Sequence, residues 1–98
     1  MTQSKLLNKK ILILGAGHEQ LPSIKLAKKL GLYVISVDKN KKCEGKFQSD
    51  EFVNMSVKET NNILKFIKKN QIRFFIAPCS DLAMKKLNII KRKLNHNN

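Results

Sequence analysis

The stretch Ile11-Leu12-Ile13-Leu14-Gly15-Ala16-Gly17-His18-Glu19-Gln20 decides the fold of this chain. Its first four residues form an unbroken apolar run, which is typical of a strand buried on both faces. The glycines that follow allow a tight turn, and Pro22 is tolerated in the first turn of a helix. The sequence therefore predicts a central parallel strand that leads directly into a helix.

Strands and helices alternate along the rest of the chain. Apolar residues on one face and lysines on the other predict helices over residues 22–30, 59–70 and 81–94. Runs rich in apolar and β-branched residues predict strands over 11–14, 33–37, 51–54 and 73–77. Such alternation favours parallel pairing with right-handed crossovers. We expect a small, doubly wound α/β domain of the Rossmann-like type, with about four strands in the order 3-2-1-4 and helices on both faces.

The length and composition indicate one small globular domain. The chain has 98 residues, of which 42% are hydrophobic and 28% charged. We expect an N-terminal extension over residues 1–9, the domain over 10–94 and a polar tail over 95–98.

No apolar run approaches the roughly 20 residues of a membrane span, and no secretory signal is apparent, which predicts a cytoplasmic protein. Cys43 and Cys79 have no partners at metal-ligand spacing, so we expect free thiols and no metal site.

The net charge of +13 raises the question of nucleic-acid binding. The lysines are spread over every predicted helix, and no clustering of arginine with aromatic residues suggests base stacking. Specific nucleic-acid binding is therefore not expected. A basic interaction domain for an acidic partner remains an alternative.

In a sheet of this order, ligands bind beyond the carboxyl ends of the strands, near the point where the strand order reverses. That edge would hold the Gly15–Gln20 loop, Asp38 and residues 78–81. Gly15 and Gly17 would let backbone N–H groups approach an anion. The dinucleotide-binding pattern, however, needs a third small residue where Gln20 stands, although Asp38 matches its acidic ribose partner.

Three interpretations of this loop stay open at this point. One is a stand-alone Rossmann-like module that binds NAD or another nucleotide. Another is purely structural: the glycines permit the turn, and Asp38 caps the loop after the second strand. Catalysis by His18 with Glu19, or by Cys79, is not expected, because no third group is placed to orient or activate them. The third interpretation comes from the order of the motifs along the chain.

Several short motifs follow one another in a recognisable order. They are the glycine loop 11–17 with Gln20-Leu21-Pro22, the helix end 27–31, Val37-Asp38, Ser49-Asp50-Glu51-Phe52 and Ser80-Asp81-Leu82-Ala83. With these motifs the chain resembles the N-terminal, or pre-ATP-grasp, domain of ATP-grasp ligases of the carbamoyl-phosphate-synthase-like and carboxylate-amine ligase type. The likeness covers roughly residues 10–94. This family often has Gln where dinucleotide enzymes have their third glycine.

The resemblance implies a function that this chain would share with other domains. Members of the family use ATP and magnesium to phosphorylate a carboxylate, and an amine then attacks the acyl phosphate. ATP and metal are held by two lobes that follow this domain, so no cofactor is expected in this chain. The chain would be a substrate-side domain, a fragment or truncated form that is not catalytic alone, and its partner would be the missing ATP-grasp domain in cis or in trans. A homodimer is left open.

The resemblance also implies a set of substrate-binding residues for a small carboxylate. They come from the glycine loop, the end of the second strand and the start of the last helix: Gly15, Gly17, Gln20, Asp38, Ser80 and Asp81. No residue of this chain is expected to be catalytic or to bind a metal.

Overall fold

The computed structural model describes residues 7–96 of the chain. Four parallel strands form one sheet in the order β3-β2-β1-β4. They are β1 (Lys10–Leu14), β2 (Tyr33–Asp38), β3 (Glu51–Asn54) and β4 (Phe74–Ile76). The predicted fold class and strand order are therefore confirmed, including the short third strand.

Three α-helices connect and follow the strands. They are α1 (Leu21–Lys29), α2 (Thr60–Lys69) and α3 (Asp81–His96), and a short 3₁₀ turn, His18–Gln20, precedes α1. The helices begin and end within two residues of the predicted positions. The last helix continues to His96, beyond residue 94 where we expected it to end. The division into extension, domain and tail stays a prediction, and residues 1–6, 97 and 98 of those segments lie outside the described residues.

The position of β1 follows from its sequence. It pairs with β2 along one edge and with β4 along the other, and helices cover both of its faces. Ile11 and Ile13 pack in one cluster with α1, whereas Leu12 and Leu14 pack in a second cluster with α2 and α3. Full burial of each such side chain stabilises the fold by about 1.5–3 kcal/mol. The helices thus lie on both faces of the sheet, as predicted.

The helices α1 and α2 end in the same backbone motif. Leu32 N donates to Ala27 O at 3.1 Å in the first, and Ile72 N donates to Ile67 O at 3.0 Å in the second. This motif needs a residue in the left-handed conformation just after the helix. Gly31 fills that position after α1, with φ of 86°. After α2 the position holds Gln71, with φ of 53°, which the sequence analysis did not predict.

Two further expectations concern the cysteines and the membrane. Cys43 is buried and Cys79 is exposed, and neither forms a disulfide. Burial raises the pKa of the Cys43 thiol. Among residues 7–96, no helix has both the length and the apolar character needed to cross a bilayer.

Candidate functional site

A cleft of about 200 Å³ lies at the carboxyl ends of the strands, as a doubly wound sheet predicts. We call it the carboxyl-end cleft. Four of the six predicted site residues line it: Gly15, Gln20, Asp38 and Ser80. The topology brings them together because β1, β2 and β4 all end at this edge. These four residues come from three separate loops.

The other two predicted residues, Gly17 and Asp81, do not line the cleft. Gly17 lies one residue before the 3₁₀ turn, in an extended conformation with φ of −81°. Asp81 is exposed in the first turn of α3, where the helix dipole favours a negative charge. Their roles as substrate-binding residues stay predictions.

Gln20 joins the glycine loop to the turn after β4. Its side chain is almost completely buried, and its Oε1 accepts a hydrogen bond from Gly17 N at 2.9 Å. Its Nε2 donates to Pro78 O at 3.0 Å, across 58 residues of sequence. A glycine at this position could make neither bond. Gln20 therefore holds two of the loops that form the cleft at a fixed distance.

Asp38 holds the same glycine loop from the other side. Its Oδ2 accepts a hydrogen bond from Ala16 N at 2.9 Å, and its Oδ1 accepts one from Asn40 N at 2.8 Å. Hydrogen bonds to an ionised carboxylate are stronger than those between neutral groups. Asp38 thus fixes the loop after β1 and caps the loop after β2 at once.

These contacts change the expected chemistry of the glycine loop. The N–H groups of Ala16 and Gly17 are bound by side chains of the protein, and Gly15 N donates to Val37 O at 2.7 Å. None of these three N–H groups is free to bind an anion.

Two lysines of the cleft were missed by the sequence analysis. Lys39 follows β2 directly, and Lys58 lies in the loop after β3; both are exposed and line the cleft together with Ser56. The position of Lys39 directly after a parallel strand was a signal that could have identified it, whereas Lys58 lies farther from the end of β3. With Ser80, they give the cleft two cations and two hydroxyl groups beside the carboxylate of Asp38, whose oxygens already accept backbone hydrogen bonds. The two cations exceed that one negative charge, which suits a small anion.

Ser80 has a second role at the start of α3. Its Oγ accepts a hydrogen bond from Ala83 N at 3.1 Å, which caps the helix. The serine therefore fixes the end of α3 that borders the cleft.

Gly45 is a further residue that the sequence analysis missed. It lies in a 3₁₀ segment, Glu44–Gln48, between the second and third strands, where the sequence predicted no helix or strand. Gly45 N donates to Ala16 O at 2.7 Å, and a Cβ atom added at Gly45 would lie 2.5 Å from that oxygen. The segment packs so closely on the glycine loop that only glycine fits.

The candidate catalytic residues that the sequence analysis rejected lie outside the cleft lining. His18 Nδ1 lies 3.2 Å from Glu44 Oε2, and both side chains are exposed. Cys79 is exposed in a left-handed conformation with φ of 59°. Within residues 7–96, no three His, Cys, Asp or Glu side chains come together as a metal site.

The fold and the cleft define a doubly wound α/β domain that presents a small polar cleft at the carboxyl end of its sheet. No protein-family model matches the chain, and no curated protein matches it. Solved structures do match. Phosphoribosylglycinamide synthetase from Anaerococcus prevotii superposes on 90% of the chain with a TM-score of 0.78 and 29% identity.

Two carboxyaminoimidazole synthetases share the fold at lower identity. The N5-carboxyaminoimidazole synthetase from Staphylococcus aureus covers 89% of the chain with a TM-score of 0.74 and 17% identity. The N5-carboxyaminoimidazole ribonucleotide synthetase from Thermotoga maritima covers 87% with a TM-score of 0.71 and 22% identity.

In each of these three synthetases the chain matches 23% of the protein's length. The resemblance to the N-terminal domain of ATP-grasp ligases is therefore confirmed.

Proposed function

We propose that this chain is the substrate-side domain of an ATP-dependent ligase of the ATP-grasp type. The observation that carries the proposal is the match of 90% of the chain, at 29% identity, to part of a phosphoribosylglycinamide synthetase. The composition of the carboxyl-end cleft supports it as well. As a domain of such a ligase, the chain would act in the cytoplasm, where ATP is available.

The proposed ligase reaction has two steps. A carboxylate oxygen of the substrate attacks the terminal phosphorus of ATP, and ADP leaves with the bridging oxygen. An amine then attacks the carbonyl carbon of the acyl phosphate, and phosphate leaves. In both steps the reacting groups are mainly positioned and stabilised electrostatically.

The part of this chain in that reaction would be to bind and orient the carboxylate. Lys39 and Lys58 would supply the positive charge, and the hydroxyl groups of Ser56 and Ser80 would donate hydrogen bonds. Gln20 would act as a positioning residue, because its hydrogen bonds hold the loops around the cleft.

The residues of this chain do not form a fitting site for magnesium and ATP. Within the described part of the chain no cluster of metal ligands exists, and the amides of the glycine loop are bound by Gln20 and Asp38. We therefore propose that both groups are held by an ATP-grasp domain supplied in cis or in trans. The chain alone would not turn over ATP.

Two observations favour this function over a dinucleotide-binding module. Gln20 fills the space that a third glycine would leave open, and its Cδ lies 3.1 Å from the position of a Cβ added at Gly15. The Asp38 carboxylate, which would bind a ribose in a dinucleotide enzyme, binds Ala16 N and Asn40 N instead.

The proposal can be tested by titrating ¹⁵N-labelled protein with small carboxylates such as glycine, succinate and glutamate. We expect saturable NMR shift changes at Gly15, Lys39, Lys58 and Ser80 for at least one of them. Lys39→Ala and Lys58→Ala should each weaken that binding about fivefold, which corresponds to roughly 1 kcal/mol. Lys65→Ala, at an exposed lysine of α2 that does not line the cleft, is the matched control.

Shift changes spread evenly over the surface lysines would contradict a carboxylate site in this cleft. The second part of the proposal is tested by incubating the chain with ATP, magnesium and the carboxylate that binds. We expect no release of ADP. Release by the purified chain would contradict the claim that it is not catalytic alone.

A further inference from the structure

A second cleft lies at the opposite edge of the sheet. It measures about 420 Å³ and is lined by Lys9, Lys10, Asn70, Gln71, Arg73 and Phe74. These residues surround the amino ends of β1 and β4, so we call it the amino-end cleft. It shares no residue with the carboxyl-end cleft.

The amino-end cleft carries an uncompensated positive charge. Two lysines and one arginine line it, and none of the seven acidic residues of the chain does. Among residues 7–96, the ion pairs join His18 to Glu44 and Lys28 to Asp50, so the cations of this cleft pair with no carboxylate. The contact of Lys10 Nζ is with a neutral acceptor, Asn70 O, at 3.4 Å.

The backbone that carries these groups is held by the sheet and by the end of α2. Tyr33 N donates to Lys9 O at 2.8 Å, and the register pairs Ile11 with Phe74. Asn70 Nδ2 donates to Phe66 O at 2.9 Å, which closes the last turn of α2. The cations therefore extend from fixed positions, which favours binding because little backbone must be ordered.

Gln71 supplies an independent observation. It occupies the left-handed position that Gly31 fills at the end of α1, although glycine would be less strained there. Within the described residues its side chain makes no hydrogen bond, and it lines the cleft. Strained backbone is typical of ligand sites, where the side chain is needed despite the cost.

We propose that the amino-end cleft binds a phosphate monoester that carries an aromatic or apolar group. A phosphate monoester has close to two negative charges and three acceptor oxygens, which matches several cationic donors better than a single carboxylate does. The guanidinium of Arg73 can bind two of these oxygens at once, and the lysines add point charges. Phe74, which is 45% exposed, offers an apolar wall to the rest of the ligand.

The test is an NMR titration of the full chain with phenyl phosphate, inorganic phosphate and benzoate. Phenyl phosphate should cause saturable shift changes at Lys10, Gln71, Arg73 and Phe74. We expect it to bind about threefold more tightly than inorganic phosphate, because of the ring, and about tenfold more tightly than benzoate, because of the charge. Binding of both phosphates with equal affinity at these residues would overturn the role of Phe74.

Charge variants separate a built site from the general basic charge of the chain. Lys10→Gln with Arg73→Gln should weaken phenyl phosphate binding about tenfold. The control, Lys25→Gln with Lys85→Gln, removes the same charge from exposed positions on α1 and α3 and should change it less than about twofold. Equal losses in the two double variants would overturn the proposal.

Gln71→Gly separates binding from folding. It removes the side chain and relieves the backbone strain, so we expect binding to weaken about threefold while the thermal midpoint stays the same or rises. Unchanged binding would show that Gln71 is not a ligand. Tighter binding of a single-stranded oligonucleotide at the same residues would overturn the proposal in favour of a nucleic-acid surface.

The proposal does not depend on the ligase function. The reporters of the two clefts are different residues, so failure of one titration leaves the other interpretable.

Discussion

The two ends of the sheet use their polar groups in different ways. At the carboxyl end, the side chains of Gln20 and Asp38 bind backbone groups of the surrounding loops. At the amino end, Lys9 and Arg73 pair with no carboxylate among residues 7–96. The carboxyl end carries the recognisable sequence motif, and the residues of that motif mainly hold the loops in place. The amino end carries no recognisable motif, and more of its charge is available to bind a ligand.

The first prediction has the largest expected effect. It tests how closely the segment that contains Gly45 packs on the glycine loop. Gly45→Ala would place a Cβ 2.5 Å from Ala16 O and 2.7 Å from Ile24 Cδ1. Because the nearest atom belongs to the backbone, we expect destabilisation by about 3 kcal/mol, measured by urea unfolding.

Gly17→Ala is the matched control for that substitution. A Cβ at Gly17 would lie 3.4 Å from Gln20 Oε1, an ordinary contact, and its backbone is in a conformation open to any residue. We expect a change within about 0.5 kcal/mol. Equal losses in Gly17→Ala and Gly45→Ala would contradict the close packing described for Gly45.

The second prediction concerns the connection between the loops after β1 and β4. Gln20→Ala removes both hydrogen bonds of a buried side chain and leaves Gly17 N and Pro78 O without these partners. We expect a loss of about 2 kcal/mol in urea unfolding. Gln48→Ala, at an exposed glutamine, should cost almost nothing. A Gln20→Ala protein as stable as the Gln48→Ala control would show that Gln20 does not hold the loops.

The third prediction concerns the amino end of β3, where the Asp50 carboxylate forms an ion pair with Lys28. Burial alone would raise the pKa of Asp50, but hydrogen bonds from Lys28 and from Val34 N outweigh it and hold the pKa below 3.8. The folded state therefore binds this proton less readily than the unfolded state. The resulting stability is present above the ordinary pKa and is lost as the pH falls through the lowered value.

Asp50→Asn should therefore cost about 1 kcal/mol near pH 7 and less near pH 2. Urea unfolding of both proteins at the two pH values measures this difference, and Glu19→Gln is a control at an exposed carboxylate. A loss that is the same at both pH values would contradict the assignment.

The smallest expected effect is a gain in stability at the carboxyl end. Cys79 has φ of 59° in the turn after β4, a conformation that glycine adopts without strain. Relief of this strain is partly offset by the greater freedom of glycine in the unfolded chain, so Cys79→Gly should stabilise by about 0.5 kcal/mol. Thermal unfolding under reducing conditions measures it. A loss of stability would show that the cysteine side chain makes a needed contact.

The sequence predicted the central strands because each is a short, mainly apolar run bounded by turn residues, and the alternation of strands with helices then predicted the strand order. Ile11–Leu14 and residues 33–37 are such runs, and their pattern depends only on neighbours along the chain. Four of the six predicted site residues line the cleft for a related reason, since they lie at or close to the points where strands end and helices begin.

The remaining features depend on contacts between distant segments. Gly45 is needed only because its segment packs on Ala16, and no local pattern shows that contact. Lys58 resembles the other lysines until the ends of β2 and β3 are brought together. Gln71 occupies the left-handed position just after α2. Helix ends usually have glycine at that position, so the usual pattern of a helix end could not identify Gln71.

The long-range hydrogen bonds of Gln20 and Asp38 also bear on the order of folding. They span 58 and 22 residues, so the glycine loop cannot reach its final geometry before β2 and β4 have paired with β1. Contacts of this kind form late, after the entropy of closing the intervening chain has been lost. We therefore expect Gln20→Ala to speed unfolding and to leave the rate of folding nearly unchanged. The carboxyl-end cleft would then be the last part of the domain to assemble and the first to open.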